Sequence, residues 1–216
     1  MTFKRRSNRA RSDYPEIYQA QKKRELTRES VSKEEWDAFE EIATYCKDDS
    51  RTIALDLLTL AEKNHITALS LSNQALKLVP PAIQQLSYLK QLLLVENQLT
   101  SLPLEIESLN QLEILYLDKN PLKTVPKEIL TLKSLQQLSL GETSLHEIPT
   151  WSEQLDKLTH LWLNDNALSS LPCTLSNLAN LERLDLRGNP RMKATISRNW
   201  TGKALGEFLA NLCQEK

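Results

Sequence analysis

The chain has 216 residues, of which 40% are hydrophobic and 25% charged, with a formal net charge of −1. This composition is ordinary for a water-soluble globular protein, and four Gly and nine Pro exclude a collagen-like or disordered chain. No stretch approaches the roughly 20 consecutive apolar residues of a membrane-spanning helix. No apolar segment follows the basic N-terminus, so we expect neither a membrane span nor a secretory signal.

The N-terminal segment, residues 1–27, is basic, and we expect it to be flexible. Residues 1–24 contain eight Lys or Arg against two acidic residues, Asp13 and Glu16, so the remainder of the chain is mildly acidic. Such a segment could be a nuclear-localisation signal, a nucleic-acid contact or an anionic-membrane contact. We favour the interpretation that the segment is a solvated tail. Short basic runs often match localisation or nucleic-acid-binding motifs by chance, and this segment has little aromatic surface on which bases could stack. Nucleic acid is therefore not the expected partner.

Residues 28–65 are predicted to form a helical N-terminal cap. Ser32 followed three residues later by Glu35 has the spacing of a capping box. The apolar residues that follow recur at helical spacing. They are Trp36, Phe39, Ile42 and Ala43, and after Ser50 they are Ile53, Leu57, Leu58 and Leu60.

From Ile66 to Met192 one pattern recurs every 23 residues. With Ile66 as position one, aliphatic residues occupy positions one, four and six of six successive repeats. By position these are Ile66, Leu89, Leu112, Leu135, Leu158 and Leu181; then Leu69, Leu92, Leu115, Leu138, Leu161 and Leu184; then Leu71, Leu94, Leu117, Leu140, Leu163 and Leu186.

The second half of each repeat carries further marks. Position nine is Asn in four repeats, position eleven is Leu in five repeats with Met192 one residue later in the sixth, and position fifteen is Pro in five repeats. The pattern L-x-x-L-x-L-x-x-N-x-L-x-x-L-P resembles the leucine-rich-repeat family, in the short form found in Ras-pathway scaffolds, plant Ras-group proteins, Roc-COR proteins and bacterial effectors. The resemblance implies an α/β solenoid, in which six short parallel strands stack into a curved sheet. The Asn and Pro residues are Asn97, Asn120, Asn166 and Asn189, and Pro80, Pro103, Pro126, Pro149 and Pro172.

The spacing also predicts what each part of a repeat does. The side chains at positions three to seven of each repeat alternate inward and outward, as in a strand. The Asn at position nine satisfies backbone groups that the hydrogen bonds between strands do not reach. Gln74 and Thr143 replace Asn in two repeats, so the Asn ladder should be weaker there. The segment after each Pro, such as residues 127–133, should return as a short helix or 3₁₀ turn. Residues 193–216 are predicted to form a C-terminal helical cap that begins at Thr201 and resembles the terminal helix of Roc-COR arrays.

The resemblance implies that the outward side of the strands, the concave face, is the binding surface. Its residues at positions three, five and seven include exposed apolar and aromatic side chains, which are typical interface anchors. An acidic edge (Glu96, Asp118, Glu142 and Asp165) runs beside them. We expect a protein partner with an apolar anchor flanked by Lys or Arg, although Tyr116 and Trp162 could instead only pack on each other and stiffen the face. The predicted partner-binding residues are Gln91, Leu93, Val95, Glu96, Ile114, Tyr116, Asp118, Glu142, His160, Trp162, Asn164, Asp165, Arg183 and Asp185.

Catalysis is not expected, and no catalytic, metal or cofactor residues are assigned. The three His and three Cys lie far apart without metal-ligand spacing, and no Gly-rich phosphate loop exists. An odd number of dispersed Cys favours reduced thiols inside a cell. Cys46, Lys47 and Asp48 resemble the Cys-x-Asp motif of bacterial leucine-rich-repeat ubiquitin ligases. In that family the motif lies in a large helical domain after the repeats, which this position does not match.

The sequence therefore predicts a monomeric, cytoplasmic, non-catalytic protein-binding module. The alternative is a secreted bacterial effector that binds a host protein in the host cytosol. Less favoured alternatives are a ubiquitin-ligase-like enzyme acting through Cys46 and nucleic-acid binding through the basic N-terminal segment.

Overall fold

The computed structural model describes residues 61–62, 65–150 and 154–212. Its centre is one open sheet in which six three-residue strands run parallel and a seventh runs antiparallel at the end. Two shorter strands pair with each other outside this sheet. The strands in chain order are β1 Ala61–Glu62, β2 His65–Ile66, β3 Ala68–Ser70, β4 Gln91–Leu93, β5 Ile114–Tyr116, β6 Gln137–Ser139, β7 His160–Trp162, β8 Arg183–Asp185 and β9 Asn199–Thr201.

The 23-residue spacing sets the strand register directly. Each parallel strand pairs with the next at the same repeat position, so Leu69 lies beside Leu92 and Leu92 beside Leu115. Because strand side chains alternate between faces, the leucines at positions four and six point inward together, and they are at most 1% exposed in every repeat. No single coil could bury these leucines alone, and each neighbour covers the one before it.

The return segments follow the prolines, as predicted. Four 3₁₀ helices begin directly after a Pro at position fifteen, whose ring fixes φ between −59° and −76° and provides the extended entry. Each buries one aliphatic side chain at position eighteen against the leucine layers. The 3₁₀ helices are Pro81–Gln85, Leu104–Ser108, Lys127–Thr131 and Cys173–Asn177.

The Asn ladder joins neighbouring repeats. The Nδ2 group of Asn120 donates to the carbonyl of Leu117 in its own repeat and of Leu94 in the preceding one, both at 2.9 Å. Its Oδ1 accepts from the backbone N–H of Leu99 at 3.0 Å. Thr143 makes a different bond: its Oγ1 donates to Leu140 of its own repeat at 2.7 Å. The side chain at position nine of the fourth repeat therefore contributes no such bond to the third, in agreement with the weaker ladder predicted there.

Position eight has a backbone requirement that the sequence pattern did not indicate. In all six repeats this residue adopts a left-handed φ between 54° and 68°, and only one of the six is glycine. That glycine, Gly188, is enforced sterically, because a Cβ atom there would lie 2.0 Å from Oδ1 of Asp165. The five others carry the cost of a left-handed conformation, roughly 1 kcal/mol each for ordinary L-residues. The six residues are Asn73, Glu96, Lys119, Glu142, Asp165 and Gly188.

The C-terminal end differs from the purely helical cap that was predicted. After the last repeat the chain reverses, and β9 pairs antiparallel with β8, placing Trp200 beside Leu184. Helix α1, Gly202–Asn211, then follows Thr201, as predicted, and packs Leu205 and Leu209 against the core. Strand β9 covers the edge that β8 would otherwise expose.

At the N-terminal end, most of the predicted helical cap lies outside the described residues. Where residues 61–62 are described, the prediction is wrong, since they form β1 and pair antiparallel with β2. Two residues separate β1 from β2, which is the spacing of the tightest β-hairpins. Pairing of this kind satisfies the backbone groups of β2 just before the first repeat strand begins.

Candidate concave-face site

The concave face is built by the in-register strands. Residues at position three of consecutive repeats are Cα partners across the sheet, and so are residues at position five. Leu93, Tyr116, Ser139, Trp162 and Asp185 therefore form one central column. The fourteen predicted contact residues all lie on this face or along its edge. Glu142 and Asp165 are exposed; Gln91, Val95, Glu96, Ile114, Asp118, His160, Trp162, Asn164 and Arg183 are half-buried; Leu93, Tyr116 and Asp185 are buried.

The expectation that Tyr116 is exposed is wrong, since only 5% of it is accessible. Tyr116 and Trp162 lie on either side of the strand of Ser139, so their Cα atoms are roughly 10 Å apart. Because Ser139 is small, the two rings lean across it and meet edge to face, with centroids 5.8 Å apart at 82°. The Tyr116 hydroxyl donates to Oε1 of Gln137 at 2.7 Å. Tyr116 nevertheless does not belong to the leucine core. It lies on the concave face, where neighbouring side chains cover it.

Trp162 is the aromatic side chain that remains half-exposed at the centre of the face. Its ring contacts Tyr116, and the imidazole of His160 also lies 5.4 Å away at an angle of 30°. The His160 Nδ1 is 2.9 Å from Oγ1 of Thr159, which fixes the imidazole in turn. Two ring contacts therefore order the indole of Trp162.

Asp118, at position seven, is the most perturbed carboxylate of the face. Its Oδ1 accepts hydrogen bonds from the Ser139 hydroxyl at 2.5 Å and from the Gly141 backbone N–H at 3.1 Å. Its Oδ2 is buried and has no hydrogen-bond partner among the described residues. Burial raises the pKa of Asp118 above its ordinary value, and the nearby Glu142 carboxylate adds to the rise. Burial, with the charge of Asp118, also raises the pKa of Tyr116 to about 12.

Ser139 and Gly141 shape this site, and they were not among the predicted contact residues. A Cβ atom at Gly141 would lie 2.7 Å from Oδ1 of Asp118 and 3.0 Å from the amide of Asn164. A larger residue at position seven of this repeat would therefore push the ends of these two side chains aside. The sequence did carry a signal for them, because both are small residues at repeat positions where the neighbouring repeats have larger ones.

We expect D118N to be at least as stable as the wild-type protein at neutral pH. The neutral amide can keep accepting from Ser139 and Gly141, and it removes the cost of a buried charge. Because the folded-state pKa lies above the ordinary 3.8, that cost applies when Asp118 is ionised and disappears as the pH falls through the folded value toward 3.8. Urea denaturation at several pH values should show the variant's advantage shrinking on acidification. A loss at neutral pH of more than about 1 kcal/mol would contradict the assignment.

Asp185 is unavailable to a partner, contrary to its predicted role. It is 1% exposed, and its carboxylate accepts from Nε of Arg187 at 2.9 Å and from a terminal nitrogen of Arg187 at 2.5 Å. The pair lies two residues apart on one strand and its continuation, so both side chains leave the same face. Arg187 remains exposed and neutralises the negative charge of Asp185 at this end of the face.

The acidic edge follows the left-handed residues at position eight. Glu96, Glu142 and Asp165 lie there, and Lys119 between them is 3.9 Å from Glu142. Exposed pairs at this distance contribute little stability. Lys119 offsets only one of the four carboxylates of the edge, so the edge keeps an excess of negative charge. With Asp118, three carboxylates of the edge remain without a cation after this pairing, which favours basic groups on a partner.

The described part of the chain offers no metal site and no membrane-spanning helix. Residues 61–62, 65–150 and 154–212 contain no group of His, Cys, Asp and Glu that could hold a metal ion. No helix within those ranges is long and apolar enough to cross a bilayer. Cys46 and the basic N-terminal segment lie outside the described residues.

Comparison with known proteins agrees with the repeat pattern. The family model described as leucine rich repeat matches twice, at residues 110–168 and 133–190, in phase with the strands and the Asn ladder. Residues 110–190 are leucine-rich repeats, and the fold is that of a leucine-rich-repeat solenoid. The fold and the resemblance predicted from the sequence are thereby confirmed. Leucine-rich-repeat domains generally bind proteins, and they are typically non-enzymatic interaction modules.

Solved structures agree with this family. A leucine-rich-repeat protein of Leptospira interrogans is 42% identical over 57% of this chain, with a TM-score of 0.55, and the match spans only 32% of that protein. The leucine-rich-repeat ectodomain of the receptor kinase SOBIR1 from Arabidopsis thaliana is 26% identical over 76% of this chain and 97% of that one, with a TM-score of 0.56. Among curated proteins no match was found.

Proposed function

We propose that this protein captures a protein partner on its concave face, with Trp162 as the central anchor. The observation that carries the proposal is the half-exposed indole of Trp162, which contacts the rings of Tyr116 and His160 at centroid distances of 5.8 and 5.4 Å. Binding hot spots are enriched in Trp, and an anchor that is already ordered loses little conformational entropy on association. The proposed role is that of a non-catalytic interaction module.

Charge indicates the partner's chemistry. Glu142 and Asp165 are exposed along the acidic edge, beside the half-buried Glu96 and Asp118. We therefore propose a partner segment with an apolar side chain against Trp162 and a Lys or Arg directed toward this edge. Complementary edge charges mainly accelerate association and make it sensitive to salt.

The competing interpretation is that the aromatic cluster only stiffens the sheet. The contact of Tyr116 with Trp162 and the burial of Ser139 beneath them fit that role as well. The two interpretations differ in their consequence for Trp162 alone, because a stiffening role predicts lost stability without lost binding. The buried Tyr116 is a poor test residue, since its truncation would disturb the fold under either interpretation.

We expect W162A to weaken partner binding by about thirtyfold or more, the loss typical of a hot-spot aromatic. Tagged wild-type protein would first identify a partner by capture from lysates and mass spectrometry, and affinities would then be measured with purified proteins. The matched control is L104A, which removes a 64% exposed apolar side chain on a 3₁₀ return segment, away from the concave face. Equal affinity of W162A and wild type, with intact circular dichroism, would refute the proposal.

The cellular compartment in which the protein acts stays a prediction. A cytoplasmic scaffold and an effector in a host cytosol would use the same surface and the same anchor. The identity of the captured partner would separate the two, because it belongs either to the protein's own cell or to a host.

A further inference from the structure

A second candidate site lies at the C-terminal end, away from the predicted anchor Trp162. A cavity of about 360 Å³ opens between the segment that leads into β9 and helix α1. Its apolar wall includes Trp200 and Phe208, whose rings stack with centroids 4.1 Å apart and planes at 17°. Ile196 and Leu212 are half-buried and extend that wall. Trp200 is fixed further, since its indole N–H donates to the Ile196 carbonyl at 3.0 Å.

The rim of this cavity is basic. Residues 186–206 contain five Lys or Arg and no Asp or Glu. Arg187 is neutralised by Asp185, and Lys203 lies 3.4 Å from Glu207. The other three, Arg191, Lys193 and Arg198, have no carboxylate partner among the described residues, and Lys193 and Arg198 line the cavity.

Arg198 is arranged to accept an anion. Its guanidinium carbon lies 3.7 Å from the centroid of the Trp200 ring, a cation–π contact. Stacking uses the flat face of a guanidinium and leaves its N–H groups, which lie in the plane, available to a carboxylate. The exposed Arg198 therefore offers an oriented donor edge directly beside an apolar cavity. Glu207 also lines the cavity, but its charge is countered by Lys203.

We propose that this cavity binds an acidic peptide segment of a protein partner. One large apolar side chain enters between Ile196, Phe208 and Leu212, while flanking carboxylates pair with Arg198 and Lys193. The cavity volume is near the lower end of the range of small-molecule sites, which suits a single large side chain. Three unpaired cations beside an apolar cavity match an acidic peptide better than a nucleic acid, which needs a long basic track.

The test is fluorescence anisotropy with the full chain and a short fluorescein-labelled peptide containing one Phe flanked by Glu. We expect saturable binding that weakens about tenfold or more when Gln replaces Glu in the peptide or Ala replaces Phe. R198A in the protein should weaken binding to a similar extent. K193A should weaken it as well, and it leaves the stacking of Arg198 on Trp200 intact.

The matched control is R191A, which removes an exposed cation of the same segment that does not line the cavity. It should bind as wild type does, and so should W162A, which separates this site from the concave face. Three outcomes would overturn the proposal: no saturable binding, an equal loss in R191A and R198A, or equally tight binding of a single-stranded oligonucleotide.

Discussion

Replacing Asn166 with alanine is expected to lower the free energy of unfolding by about 3 kcal/mol or more. Its Oδ1 accepts from the backbone N–H groups of Thr143 and Leu145 at 3.1 and 2.9 Å. Its Nδ2 donates to the carbonyls of Leu140 and Leu163 at 2.8 and 3.1 Å. Alanine leaves the buried N–H groups of Thr143 and Leu145 without an acceptor, and each unsatisfied buried group costs about 1–3 kcal/mol before relaxation. The two carbonyls each lose one of two donors, because Thr143 Oγ1 still donates to Leu140 and Asn189 Nδ2 to Leu163.

The matched control for N166A is N164A, two residues earlier on the same repeat. Asn164 is half-buried, and its side-chain bond is to the exposed Asp165 carboxylate at 2.8 Å, so its loss should cost under about 0.5 kcal/mol. Urea denaturation gives both values, and hydrogen exchange should show faster opening of the amides of Thr143 and Leu145 in N166A. A difference between the two variants below about 1 kcal/mol would mean that water replaces the Asn bonds without cost.

The fold was predictable because every repeat imposes the same local choices. Inward leucines at positions four and six set the faces of the strands, and a slip of one residue would turn them outward. The constant spacing therefore fixes the register, as the pairing of Leu115 with Leu138 shows. Asn and Pro at fixed positions then place the ladder and the 3₁₀ helices. Each of these features depends on contacts between equivalent positions, which a repeating pattern states directly.

The candidate site was only partly predictable, because side chains on the concave face lean across the sheet. Position five of an ideal strand faces solvent, yet Tyr116 is buried since Ser139 beside it is small enough for Trp162 to reach over. In the same way the carboxylate of Asp185 is unavailable to a partner, because it already accepts hydrogen bonds from Arg187. Periodicity assigns a side chain to a face, but its exposure there depends on the sizes and charges of its lateral neighbours.

The ends of the array were also beyond the pattern. Strand β9 carries no repeat signature, because it runs antiparallel and its Trp200 packs on Phe208 of helix α1 rather than on an equivalent position. Left-handed backbone at position eight was hidden for a related reason. Glu, Lys and Asp occupy it beside Asn and Gly, so composition does not mark it. Both features are imposed by the assembled coils and not by local preference.

The C-terminal cap should carry a large share of the stability, so L205A is expected to cost about 2–5 kcal/mol. Leu205 is 1% exposed and packs on the core with Leu209. Its truncation leaves a cavity above the last leucine layer, where Leu184 and Leu186 have no further repeat to cover them. A terminal coil depends on its cap because it has a neighbour on one side alone.

The matched control for L205A is K203A on the same helix, whose side chain is 92% exposed and pairs with Glu207 across one helical turn. It should cost less than about 0.5 kcal/mol. Denaturation followed by near-ultraviolet circular dichroism would report the environment of Trp200, which leaves its stack on Phe208 when the cap opens. If the cap opens as a separate unit, this signal should change at lower urea than the backbone signal of the repeats. Identical midpoints for L205A and K203A would show that α1 rests on the array without stabilising it.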